Sequence, residues 1–544
     1  MISDSKKVKP FFKPETNNKY GTAQNGIVST AFPHATRAGV EILKNGGNAV
    51  DSACAAAIAL GVCEPQACGL GGQTMMLIYN GEKVIAVDGS SRAPSLAHVN
   101  AIYKADRGLG YRASTVPSTP ATIYYVQRRY GNLPWRKILK PAIRIAEEGY
   151  CITELQSHLQ KRELNNFNKV ESKSGSKYFL DDGKPYEVDD LFKQPDLACL
   201  LKILAEKGVE DFYRGKISKQ IDADMRENGG LIRYDDLALI PWPIIRRPLR
   251  RRFRKFHVYT MPPPGAGRTL LFALLMIDAI PPKVLWDDEH KRIHLLVRIF
   301  RKALLEREDR PFDPNFYPQV SEKDMLSRNF ARKCITKIAK SVDQSIFDSL
   351  VTEDELSGET THLSVLDKNG MAVSLTQSIE RVYGSKAAAA GLGFLYNNYL
   401  MDFEYEQPNH PFYLRPNAVP WATVAPSIIF YQNNPWMVVG SPGSERIFST
   451  LIQFLMHTIE KGENLYDAMM APRVHCSLGG RISIEAERFP KDLIAYLSDK
   501  GYRIDIRDPF AFYLGAVHAV VKKTDNSGFE GVAEIRRDGS VEGY

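Results

Sequence analysis

Apolar and polar positions change their period several times along the chain, and each change marks an element. Residues 28–30 read as a short strand, and Ala35, Ala38, Val40, Ile42 and Leu43 then recur at helical spacing over 34–45. Asn45-Gly46-Gly47-Asn48 ends that helix by offering left-handed backbone positions. The next helix, 49–62, is apolar on nearly every side and is expected deep in the core. A period of two follows: 75–79 and 84–87 alternate around Asn80-Gly81, a hairpin turn. From about 100 to 345 the pattern is mostly helical, clearest at 141–148 and 293–305, with interruptions at Gly229-Gly230-Leu231 and at Met261-Pro262-Pro263-Pro264-Gly265.

Alternation returns after residue 345. The acidic stretch 353–359 is expected to be a flexible loop running into a strand. Residues 360–366 alternate, turn at Asp367-Lys368-Asn369-Gly370 and return over 371–376, which predicts a β-hairpin with one buried face. Two further strands, 427–431 and 436–439, meet at Asn433-Asn434, and Gly440-Ser441-Pro442-Gly443-Ser444 opens a helix over 446–460. Strands alternating with helical stretches predict a layered α/β architecture. Residues 1–25 are polar and read as a flexible lead-in.

Composition narrows the class. The 544 residues are 44% hydrophobic and 25% charged, which excludes collagen-like, low-complexity and disordered chains. A formal charge of +8 spread over this length is mild and does not argue for a nucleic-acid partner. The basic run 246–255 is broken by Pro248, Leu249 and Phe253, so a solvated turn and edge strand are expected there. No apolar run is long enough to span a membrane, and no apolar stretch follows the first lysines, so a cytoplasmic location is expected. Seven cysteines at irregular spacing, without a C-x-x-C pair, argue against a disulfide framework and a zinc site; Cys54 and Cys63 are expected as buried thiols.

Most familiar catalytic patterns are missing, but three features remain. Glu359-Thr360-Thr361-His362 joins an acidic stretch to a strand. A threonine hydroxyl needs an adjacent base, and an N-terminal threonine supplies its own α-amine, which Thr360 gains only if the peptide bond before it is cut. Taken alone, the two threonines equally suit the start of a strand. Gly440–Gly443 precedes a helix, where backbone N–H groups suit either a developing oxyanion or an ordinary capping turn. Gly46-Gly47 and Gly69–Gly72 bracket the apolar helix as tight turns.

In this order the features resemble the γ-glutamyltransferase family of N-terminal nucleophile hydrolases, over nearly the whole chain from Gly26. Gly46-Gly47-Asn48-Ala49-Val50-Asp51-Ser52-Ala53, Cys68-Gly69-Leu70-Gly71-Gly72, the segment 141–149, Phe212-Tyr213-Arg214-Gly215, Gly229-Gly230-Leu231-Ile232 and Met261-Pro262-Pro263-Pro264 are similar to its large-subunit motifs. Thr360-Thr361-His362 with Ser364-Val365, and Gly440-Ser441-Pro442-Gly443, are similar to its small-subunit motifs. The resemblance implies a four-layer αββα fold and a proenzyme that cuts itself between Glu359 and Thr360. The segments 26–359 and 360–544 then remain as an entwined heterodimer. Thr360 is the implied nucleophile, Ser378 its hydroxyl support, and the N–H groups of Gly443 and Ser444 the oxyanion donors. No metal or organic cofactor is implied, since the polypeptide supplies all of these groups, and the implied partner is a small-molecule amide.

The implied substrate pocket departs from the family pattern. Ser90 stands near the position of the arginine that grips the glutamyl α-carboxylate, with Arg92 two residues on as its candidate replacement. Asp402 is retained, Glu380 replaces an asparagine, Tyr399 a glutamine or glutamate, and Ala422-Thr423 a serine pair; Arg381 adds a charge. The expected activity is cleavage of a γ-glutamyl-type amide such as glutathione. The alternatives are another small carboxylate-bearing amide, cut by an oxamate-type amidohydrolase or acylase, or a binding protein that never matures.

Overall fold

The computed structural model describes residues 18–309, 325–340, 358–525 and 527–544. Two seven-stranded antiparallel sheets lie face to face, and helices cover the outer side of each. The first sheet runs Tyr20–Ala23, Phe529–Ala533, His518–Lys522, Asn434–Gly440, Ser427–Tyr431, Phe256–Thr260 and Leu249–Phe253. The second runs Ser540–Gly543, Gly26–Thr30, Gly358–Asp367, Ala372–Arg381, Gln73–Tyr79, Val84–Gly89 and Ile244–Arg246. Each sheet draws strands from both sides of Thr360, in four layers with the αββα order the sequence implies.

Alternation along the central strand explains the layering. Leu363 and Val365 point to the outer face, where they join one core with the helices Pro33–Lys44 and Ala49–Cys63. The second of these helices is buried along almost its whole length, because its alanines let neighbours approach from every side. A capping box fixes its start: Asn48 accepts from the Asp51 N–H, and Asp51 accepts from the Asn48 N–H. The other helical layer, with Gly267–Asp278 and Arg446–Leu455, forms a second core on the first sheet.

His362 and Ser364 point the other way, into the gap between the sheets. Three serines of the second sheet donate across it to carbonyls of the first: Ser29 to Val532 at 2.7 Å, Ser364 to His518 at 2.9 Å and Ser374 to Val439 at 3.1 Å. Small side chains therefore set the spacing. Gly440 is required there, since a Cβ on it would lie 2.1 Å from the His362 ring. That ring is itself held between Thr376 Oγ1 at 2.8 Å and Ser364 Oγ at 3.1 Å.

Two expectations need correction. The lead-in is not flexible throughout, for Tyr20–Ala23 is an edge strand paired with Phe529–Ala533; residues 1–17 lie outside the described residues. Nor does Glu359 lie in a flexible loop: Gly358 and Glu359 already belong to the central strand and are buried, while 353–357 lie outside the described residues. The basic run does supply the outermost strands of both sheets, as expected. Two of its arginines are structural besides, Arg246 bonding Asp88 at 2.7 Å and Arg254 bonding Glu460 at 2.6 Å. The seven cysteines are free, Cys54 and Cys63 among the buried ones.

Substituting Gly440→Ala forces a methyl group into the His362 ring, and overpacking of this kind costs roughly 1–3 kcal/mol. The urea midpoint of the variant is expected to fall accordingly; an unchanged midpoint contradicts this account of the sheet spacing.

Candidate active site

Thr360 shares the parity of His362 and Ser364, so it lies on the strand face turned to the first sheet. The ladder between Gly358–Asp367 and Ala372–Arg381 shifts register at this point: Glu359 faces Glu380, but Thr361 faces Gln377. A bulge bends a strand and re-aims its side chains. Here Thr360 Oγ1 lies 3.3 Å from Ser378 Oγ, which it meets as donor. Ser378 in turn donates to the Glu359 carbonyl oxygen at 2.7 Å and accepts from the Glu380 N–H at 2.8 Å. One hydroxyl thus touches Thr360 Oγ1 and polarises the carbonyl of the peptide bond before it. The Ser378 backbone is held closely, since a Cβ on Gly72 would lie 2.2 Å from its carbonyl oxygen.

The face opposite Thr360 carries a buried ionic cluster that the sequence reading missed. Glu359 Oε1 accepts from the Thr360 N–H at 3.1 Å and is bonded to Arg537, which is 2% exposed. The Arg537 guanidinium stacks on Phe512, 4.2 Å from its centroid. Glu64, just past the apolar helix, joins the cluster beside Thr361; burial pushes its carboxyl up to about 8, with Arg537 acting against the rise. The available signal was Arg536-Arg537 following the apolar segment of strand Phe529–Ala533. Charges in such a context are buried only when paired. Arg536 bonds Glu485 at 2.7 Å and Glu534 at 3.0 Å.

Across the sheet gap, Gly443 and Ser444 follow the strand Asn434–Gly440 in left-handed backbone, with φ of 124° and 51°. Their carbonyls begin the next helix by accepting from Arg446 and Ile447, whereas among the described residues neither of their N–H groups has an acceptor. These two donors sit where the chain enters the nucleophile: a Cβ on Gly358 would lie 2.8 Å from Ser444 Cβ and 3.1 Å from Glu380 Oε1.

Glu380, itself at a φ of 79°, and Asp402 form a hydrogen-bonded carboxyl pair. Burial raises both, Asp402 further because the Glu380 charge also disfavours its ionisation. Two adjacent carboxyls cannot both ionise at little cost, so the pair holds a proton. Tyr399 is buried, with its hydroxyl against Ser378 and Gln73. Arg381 directs Nε to Met401 Sδ at 3.2 Å, and its charge opposes the rise in both carboxyls.

The fold therefore gathers Glu359, Thr360, Ser378, Glu380, Arg381, Tyr399, Asp402, Gly443 and Ser444. It does not bring in Arg92, which bridges to Val116 and lines a separate cavity with Asp236, Trp242 and Pro416. Loop 90–94 is held on two sides, by Ala93 N–H donating to Ala418 and by Ser91 donating to Gln73, the strand neighbour of Ser378. Thr423 lies between Ala422 and Val424, whose backbones bond Pro264 and Ala266, and it makes no polar contact with the other site residues. Among the described residues no three His, Cys, Asp or Glu side chains converge as a metal site, and no helix is long and apolar enough to cross a membrane.

A family model described as Gamma-glutamyltranspeptidase matches residues 35–544. The chain belongs to that family. As a γ-glutamyltranspeptidase family member it is an enzyme of the N-terminal nucleophile hydrolase class. It is 30% identical to the glutathione hydrolase proenzyme of Escherichia coli (strain K12), over 89% of this chain and 87% of that protein. It is 28% identical to the acylase ACY 1 proenzyme of Pseudomonas sp. (strain V22), over 96% and 94% of the two chains. Among solved structures it is similar to cephalosporin acylase from Bacillus halodurans, with a TM-score of 0.87, 27% identity and coverage of 100% of this chain and 99% of the other.

The Glu64 carboxyl supplies a pH test in Thr360→Ala protein, where the chain stays intact. Folded protein keeps this proton up to about 8, whereas the unfolded chain releases it near the ordinary glutamate value of about 4.3. Stability should therefore fall as pH rises between those values and level off above them. Glu64→Gln is expected to flatten that part of the Tm profile; identical profiles with and without Glu64 contradict the assignment.

Proposed function

We propose that the protein is a proenzyme that cuts itself between Glu359 and Thr360 and then hydrolyses small amides through an acyl ester on Thr360. The observation that carries this reading is Ser378 Oγ, 2.7 Å from the Glu359 carbonyl oxygen and 3.3 Å from Thr360 Oγ1. In maturation Thr360 Oγ1 attacks the Glu359 carbonyl carbon. The C–N bond breaks as the hydroxyl proton passes to the leaving nitrogen, which lies beside the Glu359 carboxylate. Water then hydrolyses the ester, leaving a carboxylate on Glu359 and a free amine and hydroxyl on Thr360. The amine serves as the base that a threonine inside a chain lacks.

In turnover the same hydroxyl attacks a substrate amide, its proton passing through the Thr360 amine to the leaving nitrogen as the C–N bond breaks; the N–H groups of Gly443 and Ser444 hold the oxyanion, and water then hydrolyses the acyl ester. Ser444 supplies its donor from the backbone, whatever its side chain. The two fragments stay together, because the strand that begins the smaller one lies between Gly26–Thr30 of the larger fragment and Ala372–Arg381.

The first substrate reading is a γ-glutamyl-type amide such as glutathione, supported by Asp402, the partner of Glu380, whose N–H bonds Ser378. A second reading, an acylase-type enzyme for another carboxylate-bearing amide, is favoured by the position of Arg92 in a separate cavity.

Purified wild type is expected to release nitroaniline from γ-glutamyl-p-nitroanilide or from glutaryl-p-nitroanilide, and Thr360→Ala from neither. Turnover by Thr360→Ala overturns the mechanism, while the preferred anilide separates the two substrate readings. Removing one oxyanion-polarising donor costs about 10²–10³ in rate. Ser378→Ala is therefore expected to slow self-cleavage by that order, with Ser378→Thr restoring it on a gel time course.

A further inference from the structure

Next to the carboxyl pair lies a cavity of 630 Å³ whose wall carries Lys104, Arg107, Arg162, Lys169, Arg381 and Lys386 against a single carboxylate, Glu163. Glu163 is already engaged, with Arg162 at 3.0 Å and Lys386 at 3.2 Å. The remaining four cations make no ion pair within 4 Å among the described residues. Two of them also leave donors idle: Arg107 Nε and Arg381 Nη1 are buried without a hydrogen-bond acceptor. Arg107 is nevertheless held in place, its guanidinium 3.5 Å from the Tyr405 ring centroid. Donors taken from water and left unmade are costly, and like charges around one concavity repel. A bound anion relieves both.

Two short links connect the cavity to the Glu380–Asp402 pair. Arg381 follows Glu380, whose N–H holds Ser378 Oγ. Met401, bonded to Arg381 Nε, lines this cavity and also a smaller one of 220 Å³ that contains Asp402. Arg381 and Met401 thus stand between the Glu380–Asp402 pair and this cavity. Its volume falls in the range of about 300–1,000 Å³ that small-molecule sites occupy, more than one carboxylate fills.

We propose that this cavity holds the far end of the substrate's acyl group, and that this end is anionic, bearing carboxylate or phosphate. The inference rests on the amidohydrolase reading above and specifies its substrate: an acyl chain long enough to pass the Glu380–Asp402 pair and charged at its tip. Arg381 and Arg107 are its specificity-determining residues, and Lys104 and Lys169 at the rim strengthen the field.

The test uses self-processed enzyme with ω-carboxyacyl p-nitroanilides of increasing acyl length, glutaryl to suberyl, and their methyl esters. At least one acid is expected to exceed its ester by about tenfold or more in kcat/KM, the factor one charge-assisted hydrogen bond provides. That preference should shrink at high salt and collapse in Arg381→Gln and Arg107→Gln. If those variants fail to mature, Lys169→Gln at an exposed position should still reduce it. No acid preference at any length, or one that survives all three substitutions, overturns the proposal.

Should processed enzyme cut none of the anilides, the substrate reading fails separately. The cavity is then tested by calorimetric titration with suberate and with inorganic pyrophosphate at low salt. Binding of either that is lost in Arg107→Gln supports the anion site, the tighter ligand distinguishing carboxylate from phosphate. Absence of heat with both overturns it.

Discussion

The hydroxyl of Ser378 is the contact on which the rest of the site depends, because it touches both reacting groups at once. It accepts from Thr360 and donates to the Glu359 carbonyl, so any movement of one strand against the other separates the Thr360 hydroxyl from that carbonyl. Much of the surrounding structure serves to prevent that movement. The register shift at Thr360 places the threonine opposite Ser378, Gly72 allows the loop before Gln73–Tyr79 to pack on the Ser378 carbonyl, and the sheet gap is held closed by serine-to-carbonyl bonds. A central strand with neighbours on both sides is a rigid place to hold reacting atoms.

Electrostatics divide along the two faces of that strand. On the outer face, Glu359, Arg537 and Glu64 sit together away from water. Breaking a buried ion pair strands the surviving charge at a cost of about 3–5 kcal/mol, so Arg537 holds Glu359 in one orientation. On the inner face, the Glu380–Asp402 pair holds a proton between them, and the positive cavity begins at Arg381. Negative and positive groups therefore follow one another outward from Thr360.

Much of the layered architecture was legible in the sequence, because period-two alternation, the all-apolar helix and the turn dipeptides are local signals. That Thr360 and Ser378 belong together was also legible, though only from an ordered set of segments, since each alone suits an ordinary strand or cap. Arg92 was misplaced because proximity along the chain does not show which way a side chain turns: Ser91 reaches Gln73 beside the site, while Arg92, bridged to Val116, lines a separate cavity. Arg537 and Glu64 went unseen for the complementary reason. They lie 178 and 295 positions from Glu359 in the chain, and only the pairing of strands brings them beside it. Glu359 itself was read as loop from its acidic neighbours, whereas its buried partner Arg537 lets it enter the sheet.

The central claim is that the bond between Glu359 and Thr360 is cut by the chain itself, and intact mass of the purified protein tests it most directly. The account predicts that the 61.1 kDa chain converts into fragments of about 40 and about 21 kDa by share of residues, the smaller beginning at Thr360. A single full-length species that still hydrolyses amides, or a cut at another bond, would contradict it.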